Sequence, residues 1–183
     1  MKEIITDSCT VLTEKKSKFI TRLYKISSVQ QVDEILKEIR ALEKGATHNC
    51  YAWRLAEKQS VAEGRSDDGE PSGTAGQPML SALSGEDVVN VLAIVTRYFG
   101  GIKLGTGGLV RIYSKCVKEA LKDSGTQPFI IREYLNTHFI FQKHRIFNIF
   151  LINFLFHRSS VISQIHYIRF IISSFPKKKK QNS

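Results

Sequence analysis

Nine residues near the middle of the chain restrict its fold more than any others. Val88 to Thr96 (VVNVLAIVT) are nearly all apolar and mostly β-branched. A strand buried on both faces reads this way, so other elements must cover it. The residues that follow, Thr96 to Arg111 (TRYFGGIKLGTGGLVR), turn the chain on glycines and open a helical stripe. That stripe is Leu109, Ile112, Tyr113, Cys116, Ala120 and Leu121, with Gly125 just beyond. Upstream, Lys18 to Ile26 (KFITRLYKI) is rich in Phe, Ile, Leu and Tyr and reads as a strand. Ser28 and Gln31 then form a capping box. Val29, Val32, Ile35, Leu36, Ile39 and Leu42 recur at helical spacing, and Gly45 suits a C-terminal cap, so a helix is predicted over about 28–44. His48 to Leu55 (HNCYAWRL) reads as a second strand, with Tyr51 and Trp53 on one face and Cys50 and Ala52 on the other. A short helix lies between residues 74 and 84, starting from the Thr74–Gln77 capping box or with Pro78 as its first residue. Strands alternating with helices predict an α/β fold, an α+β sandwich in which helices pack on a β-sheet. A domain of about 125 residues can bury a sufficient core.

Composition divides the chain at that point. All twelve glycines precede residue 126. Residues 1–125 carry 18 basic and 16 acidic side chains, whereas residues 126–183 carry nine basic residues against Glu133. The net charge of +10 therefore belongs mostly to the tail, four of it to Lys177–Lys180. Two domains are expected: residues 1–125, and an atypical apolar and basic tail over 126–183. Three readings of the tail stand: a small second domain, a membrane-surface segment, or a truncated or out-of-frame second domain. Its longest apolar stretch, Ile146 to Phe156, is interrupted by Asn148 and Asn153 and falls short of the about 20 residues that span a bilayer, so no transmembrane segment is expected. Cys9, Cys50 and Cys116 form no CxxC pair, zinc spacing or disulfide framework. Met1 to Ser8 has no apolar h-region, and the expected location is the cytoplasm.

Two glycine-rich segments carry the chemistry. Gly64 to Gly76 (GRSDDGEPSGTAG) has one apolar side chain, Ala75, and reads as a surface loop. Asp67, Asp68 and Glu70 are candidates for holding a divalent metal or for acid–base work. The alternative is a polar loop that uses its Asp, Ser and Thr for local hydrogen bonds. In the second segment, Gly107-Gly108 at a helix start would expose backbone N–H groups to an anion, with Arg97, Lys103 and Arg111 around them. The phosphate motifs fail: Thr106-Gly107 stand where Walker A requires Lys-Ser/Thr, and Val110 occupies the third glycine of GxGxxG. A tight turn using glycine for positive φ or close approach explains the segment equally well. Arg97-Tyr98-Phe99 offers a cation beside aromatics, suited to stacking on a base or a peptide side chain. His48 at a strand start reads as structural, Cys50 and Cys116 as core. No GxSxG elbow is present, and no residue is assigned a catalytic role.

Taken together, SDDGEPSGTAGQPML (66–80) and VTRYFGGIKLGTGGLVRIYS (95–114) resemble the IMPACT/YigZ family, uncharacterised protein family 0029. RYFGG followed by KLGTGGL is close to that family's signature, and the resemblance covers about residues 1–125. It implies a β-α fold similar to the second domain of a small-subunit ribosomal protein. It implies regulation of translation through a protein or ribosome partner, with RNA as a further partner. Eukaryotic relatives compete for the activator of the amino-acid-starvation initiation-factor kinase. Bacterial relatives continue into a small ferredoxin-like domain that the tail after Thr126 does not resemble. The matched positions are Asp67, Asp68, Glu70, Ser72, Thr74, Arg97, Tyr98, Lys103, Gly105, Gly107 and Arg111, taken as a candidate binding surface. No catalytic mechanism comes with the resemblance, which favours a binding module over an enzyme. The alternative is a metal-dependent, peptidase-like hydrolase using Asp67, Asp68 and Glu70. No cofactor is implied other than that divalent metal.

Overall fold

The computed structural model describes residues 1–58, 60–130, 134–136 and 153–155. They form two compact units, Met1–Phe129 and Ile130–Ser183. In the first, the strands are β1 (Lys2–Ile4), β2 (Ser8–Glu14), β3 (Ser17–Lys25), β4 (His48–Ala56), β5 (Val61–Ser66), β6 (Val91–Tyr98) and β7 (Thr126–Pro128). The helices are α1 (Val29–Leu42), α2 (Gly76–Gly85) and α3 (Thr106–Ser124). The second unit contains a short antiparallel pair, β8 (Tyr134–Asn136) with β9 (Asn153–Leu155). The readings of the tail as a whole fall outside the described residues.

Five strands make one sheet in the order β2-β3-β6-β4-β5, antiparallel throughout. The fold is α+β. β6 lies at the centre and is buried on both faces because helices cover both. Val91, Ala93 and Val95 face the cluster made with α2 and α3, while Leu92 and Ile94 face α1. The apolar run thus reflects two helical layers on an antiparallel sheet. Val88 and Val89 precede the strand in a buried turn. Pairing alternates in β4 as well: Cys50 and Ala52 join the first cluster, Tyr51 and Trp53 the second.

Helix α1 carries the predicted apolar stripe. Ser28 caps it, its hydroxyl accepting from the Gln31 N–H, and Gln31 Oε1 accepts from the backbone N–H of Ser27 at 2.7 Å. The C-terminal cap is Glu43 rather than Gly45, its N–H donating to the Ile39 carbonyl at 2.8 Å. α2 uses neither start suggested by its sequence. Its N-cap is Ala75, Pro78 is its third residue, and the Thr74 hydroxyl donates back to the Pro71 carbonyl. α3 runs as its stripe indicates, with Gly125 at φ 62° as its C-terminal cap. β7, at the start of the segment set apart by composition, pairs antiparallel with β1.

The carboxylates and the glycine turn at the end of β6

The candidate site is built at one end of the sheet. It comprises the end of β6, the start of β4, the β5–α2 loop, the β2–β3 turn and the start of α3. The first glycine-rich segment begins inside β5 and ends in α2. It is not wholly a surface loop, since Glu70, Thr74, Ala75 and Gly76 are buried.

Its three carboxylates diverge. Asp67 Oδ1 accepts from the backbone N–H groups of Ala75 (2.9 Å) and Gly76 (2.8 Å), and Oδ2 from that of Gly73 (2.8 Å). These donors include the start of α2, whose N-cap has no side-chain cap of its own. A helix N-terminus attracts negative charge, and a residue eight positions upstream of the N-cap supplies it. Burial pushes the Asp67 carboxyl up, but its hydrogen bonds from Gly73, Gly76 and Ala75 outweigh that and hold it below the usual range. Asp68 takes a left-handed φ of 43°; its Oδ2 accepts from the Asn49 N–H at 2.7 Å and its Oδ1 from Arg40 at 3.3 Å. Glu70 turns inward. Among the described residues no three His, Cys, Asp or Glu side chains are grouped to hold a metal ion.

Glu70 and Arg97 form a buried ion pair, 8% and 5% exposed. Glu70 Oε1 accepts from Arg97 Nη1 at 2.5 Å and from the Tyr113 hydroxyl at 2.8 Å. His48 stands beside them, Nε2 3.9 Å from Glu70 Oε2 and Nδ1 2.9 Å from the Asp68 carbonyl oxygen. The Arg97 guanidinium lies 5.4 Å from the ring centroids of both Phe19 and Phe99. The aromatic–cation grouping read from Arg97-Tyr98-Phe99 is therefore an internal contact, closed to a base or peptide at Arg97. Tyr98 points to the opposite face of the sheet, as alternation along β6 requires. There its hydroxyl and Arg22 donate to the Glu43 carboxylate. Cys50 lies under the loop, its thiol 3.0 Å from the Asp67 carbonyl and 3.3 Å from the Tyr113 hydroxyl. Burial pushes that thiol up to about 12 and the Tyr113 phenol further above its ordinary range, so neither ionises near neutrality.

The second segment is a tight turn resting on the β2–β3 hairpin. The Gly100 N–H donates to Ser17 Oγ at 3.1 Å. A Cβ on Gly100 would stand 2.0 Å from the Lys16 carbonyl carbon, so only glycine fits. Gly101 and Gly105 hold φ of 86° and 73°, and Gly105 is the N-cap of α3. Gly107 is the second residue of α3, and a Cβ there would stand 3.6 Å from Arg111 Nη1. Phe99 and Ile102 are 46% and 43% exposed, and Lys103, Gly105, Gly107, Arg111 and Ser72 also lie on the outside.

The two segments that meet here fall within one family pattern. The family model of the Impact N-terminal domain matches residues 15–121. The chain belongs to the IMPACT family. The IMPACT family member YvyE of Bacillus subtilis is 47% identical over 111 residues, 61% of this chain and 51% of YvyE. The IMPACT family member YigZ of Escherichia coli is 48% identical over 120 residues, 64% of this chain and 59% of YigZ. A crystal structure of a hypothetical protein superposes with a TM-score of 0.66 at 42% identity, covering 73% of this chain and 66% of that one. The chain thus spans between half and three-fifths of the length of these two relatives.

In this IMPACT domain the signature residues separate into two sets. Asp67, Glu70, Thr74 and Arg97 are engaged with neighbouring groups inside, and Asp68 and Tyr98 brace the α1 side. Ser72, Lys103, Gly105, Gly107 and Arg111 face outward. Two residues that pack with the inner set, Ser17 and Phe19, lie outside both motifs. Tyr113 lies within the second, where it reads as one position of an apolar helical stripe; its phenol must find a partner when buried.

Proposed function

We propose that this chain is a cytoplasmic binding module that regulates translation through a protein or ribosomal partner, with RNA as part of the surface met. The observation that carries the proposal is the inward commitment of the signature's charges. Asp67 serves the α2 N-terminus and Glu70 serves Arg97 and Tyr113, so neither is directed at a substrate. Such a network fixes a loop and a turn in one pose and leaves Ser72, Phe99, Ile102, Lys103 and Arg111 outside to be recognised. Membership of the IMPACT family supports the link to translation. The metal-dependent hydrolase is not favoured, because each of its three carboxylates already accepts hydrogen bonds from protein donors.

The test is co-sedimentation of the full chain with ribosomes at low and high salt, beside a variant with Lys177–Lys180 changed to glutamine. The proposal expects both to travel with ribosomes. Loss of the variant alone, together with release of the native chain by salt, would assign the signal to tail charge and overturn it.

A further inference from the structure

We propose that β2 is the self-association edge of this chain, pairing antiparallel with β2 of a second copy across a two-fold axis. β2 is the outer strand of the five-stranded sheet, and β3 is its only strand partner among the described residues. The outer side of such a strand presents unpaired N–H and C=O groups, a template for another strand. The usual guards are missing. β2 has no proline and no charge before its last residue, Glu14, and it pairs with β3 residue for residue without a bulge. Seven residues make it longer than the mean strand, which is about 5–6. It is also held in place from one side. Ser8, Thr10 and Leu12 are half-buried, with the Ser8 hydroxyl donating to the Ala120 carbonyl of α3 at 3.1 Å. Cys9, Val11 and Thr13 are exposed on the other face, Val11 by 52%.

The choice of a second copy rests on register and charge. In a two-fold antiparallel pair each residue meets its mirror position. Only the register centred on Val11 pairs all seven residues of β2 with all seven of its copy. It sets Val11 against Val11, Cys9 against Thr13, and Ser8 against Glu14. No like charges meet within the strand, since its one charge, Glu14, lies opposite Ser8, and the exposed Val11 side chains meet each other at the centre. Edge pairing alone buries less than the roughly 1,200–2,000 Å² of a standard stable interface, so the dimer is weak and grows with concentration.

The register gives a sharp test in the full chain. Thr13→Cys places a thiol opposite Cys9 of the second copy, at the about 4.5–5.5 Å Cα separation of strand pairs, which a disulfide can bridge. Within one strand Cys9 and residue 13 are about 13 Å apart, too far to join. An added oxidant should therefore give a covalent dimer whose cross-linked peptide joins residue 9 to residue 13, and Cys9→Ser in that background should abolish it. Sedimentation across a concentration series should show dimer for the native chain. Val11→Lys, which sets two lysines face to face, should raise the dissociation constant about tenfold or more. A native chain that stays monomeric at every concentration overturns the proposal. So does a dimer without the 9–13 cross-link, or one that Val11→Lys leaves as tight.

Discussion

Arg97→Met probes the buried network most directly. Methionine keeps an unbranched apolar stem between Phe19 and Phe99 and removes the guanidinium. The Glu70 side chain, only 3% exposed, then keeps the Tyr113 hydroxyl but loses its cation. Breaking a buried pair in this way costs about 3–5 kcal/mol. The lost contacts with the two rings add about 1 kcal/mol. Domains of this kind are stable by about 5–15 kcal/mol, so the variant loses roughly a third or more of its stability. Urea unfolding followed by far-UV circular dichroism and by the single tryptophan, Trp53, measures this. Pairing the change with Glu70→Gln removes both charges. The double variant should therefore be more stable than the sum of the single losses by about 1–3 kcal/mol. A single Arg97→Met loss below about 1 kcal/mol, or strict additivity in the cycle, would refute the assignment of Glu70 and Arg97 as a coupled buried pair.

Three other outcomes follow from the same geometry. The Asp67 carboxyl has a lowered pKa in the folded state, so its stabilisation is complete above the unfolded value of about 3.9 and is lost as pH falls through the folded one; in acid titrations of stability, Asp67→Asn should flatten that loss while costing about 1–3 kcal/mol at neutral pH, because an amide offers one acceptor oxygen where the carboxylate offers two. Cys50 and Cys116, their thiols pushed up to about 12 and about 11 by burial, should resist a thiol reagent at pH 8 while exposed Cys9 reacts at once, and mass mapping of the labelled chain reads this. Gly100→Ala drives a Cβ into the Lys16 backbone and should cost about 1–3 kcal/mol in urea unfolding, whereas Gly85→Ala, with open space around it, should cost far less.

Where periodicity and burial agree, the sequence is easily read. The α1 stripe, its Ser28 cap, and the opposite faces of Cys50 and Tyr51 all follow from spacing alone. The hairpin of β2 and β3 was hidden because its two-residue turn is Lys15-Lys16, both at positive φ. Such turns usually announce themselves with Asn-Gly or Asp-Gly. β5 was hidden because Gly64 interrupts it. A Cβ there would stand 2.4 Å from the Trp53 indole, so glycine marks a close approach within a strand rather than a loop. The start of α2 does not follow from its own sequence because its acidic partner, Asp67, arrives from outside the helix. In the sequence Arg97 reads as a recognition residue because a cation between aromatics looks the same inside and outside. Only the parity of β6 against its neighbours decides which way it points.

The proposed function divides the signature between inner residues that hold the site and outer ones that recognise a partner. Ribosome co-sedimentation of the full chain carrying Ile102→Ser and Lys103→Glu, both on the outside, run beside its urea unfolding midpoint, tests this division. The midpoint should stay close to that of the native chain while ribosome-bound protein is clearly lost. A well-folded double variant that sediments with ribosomes as the native chain does would contradict it.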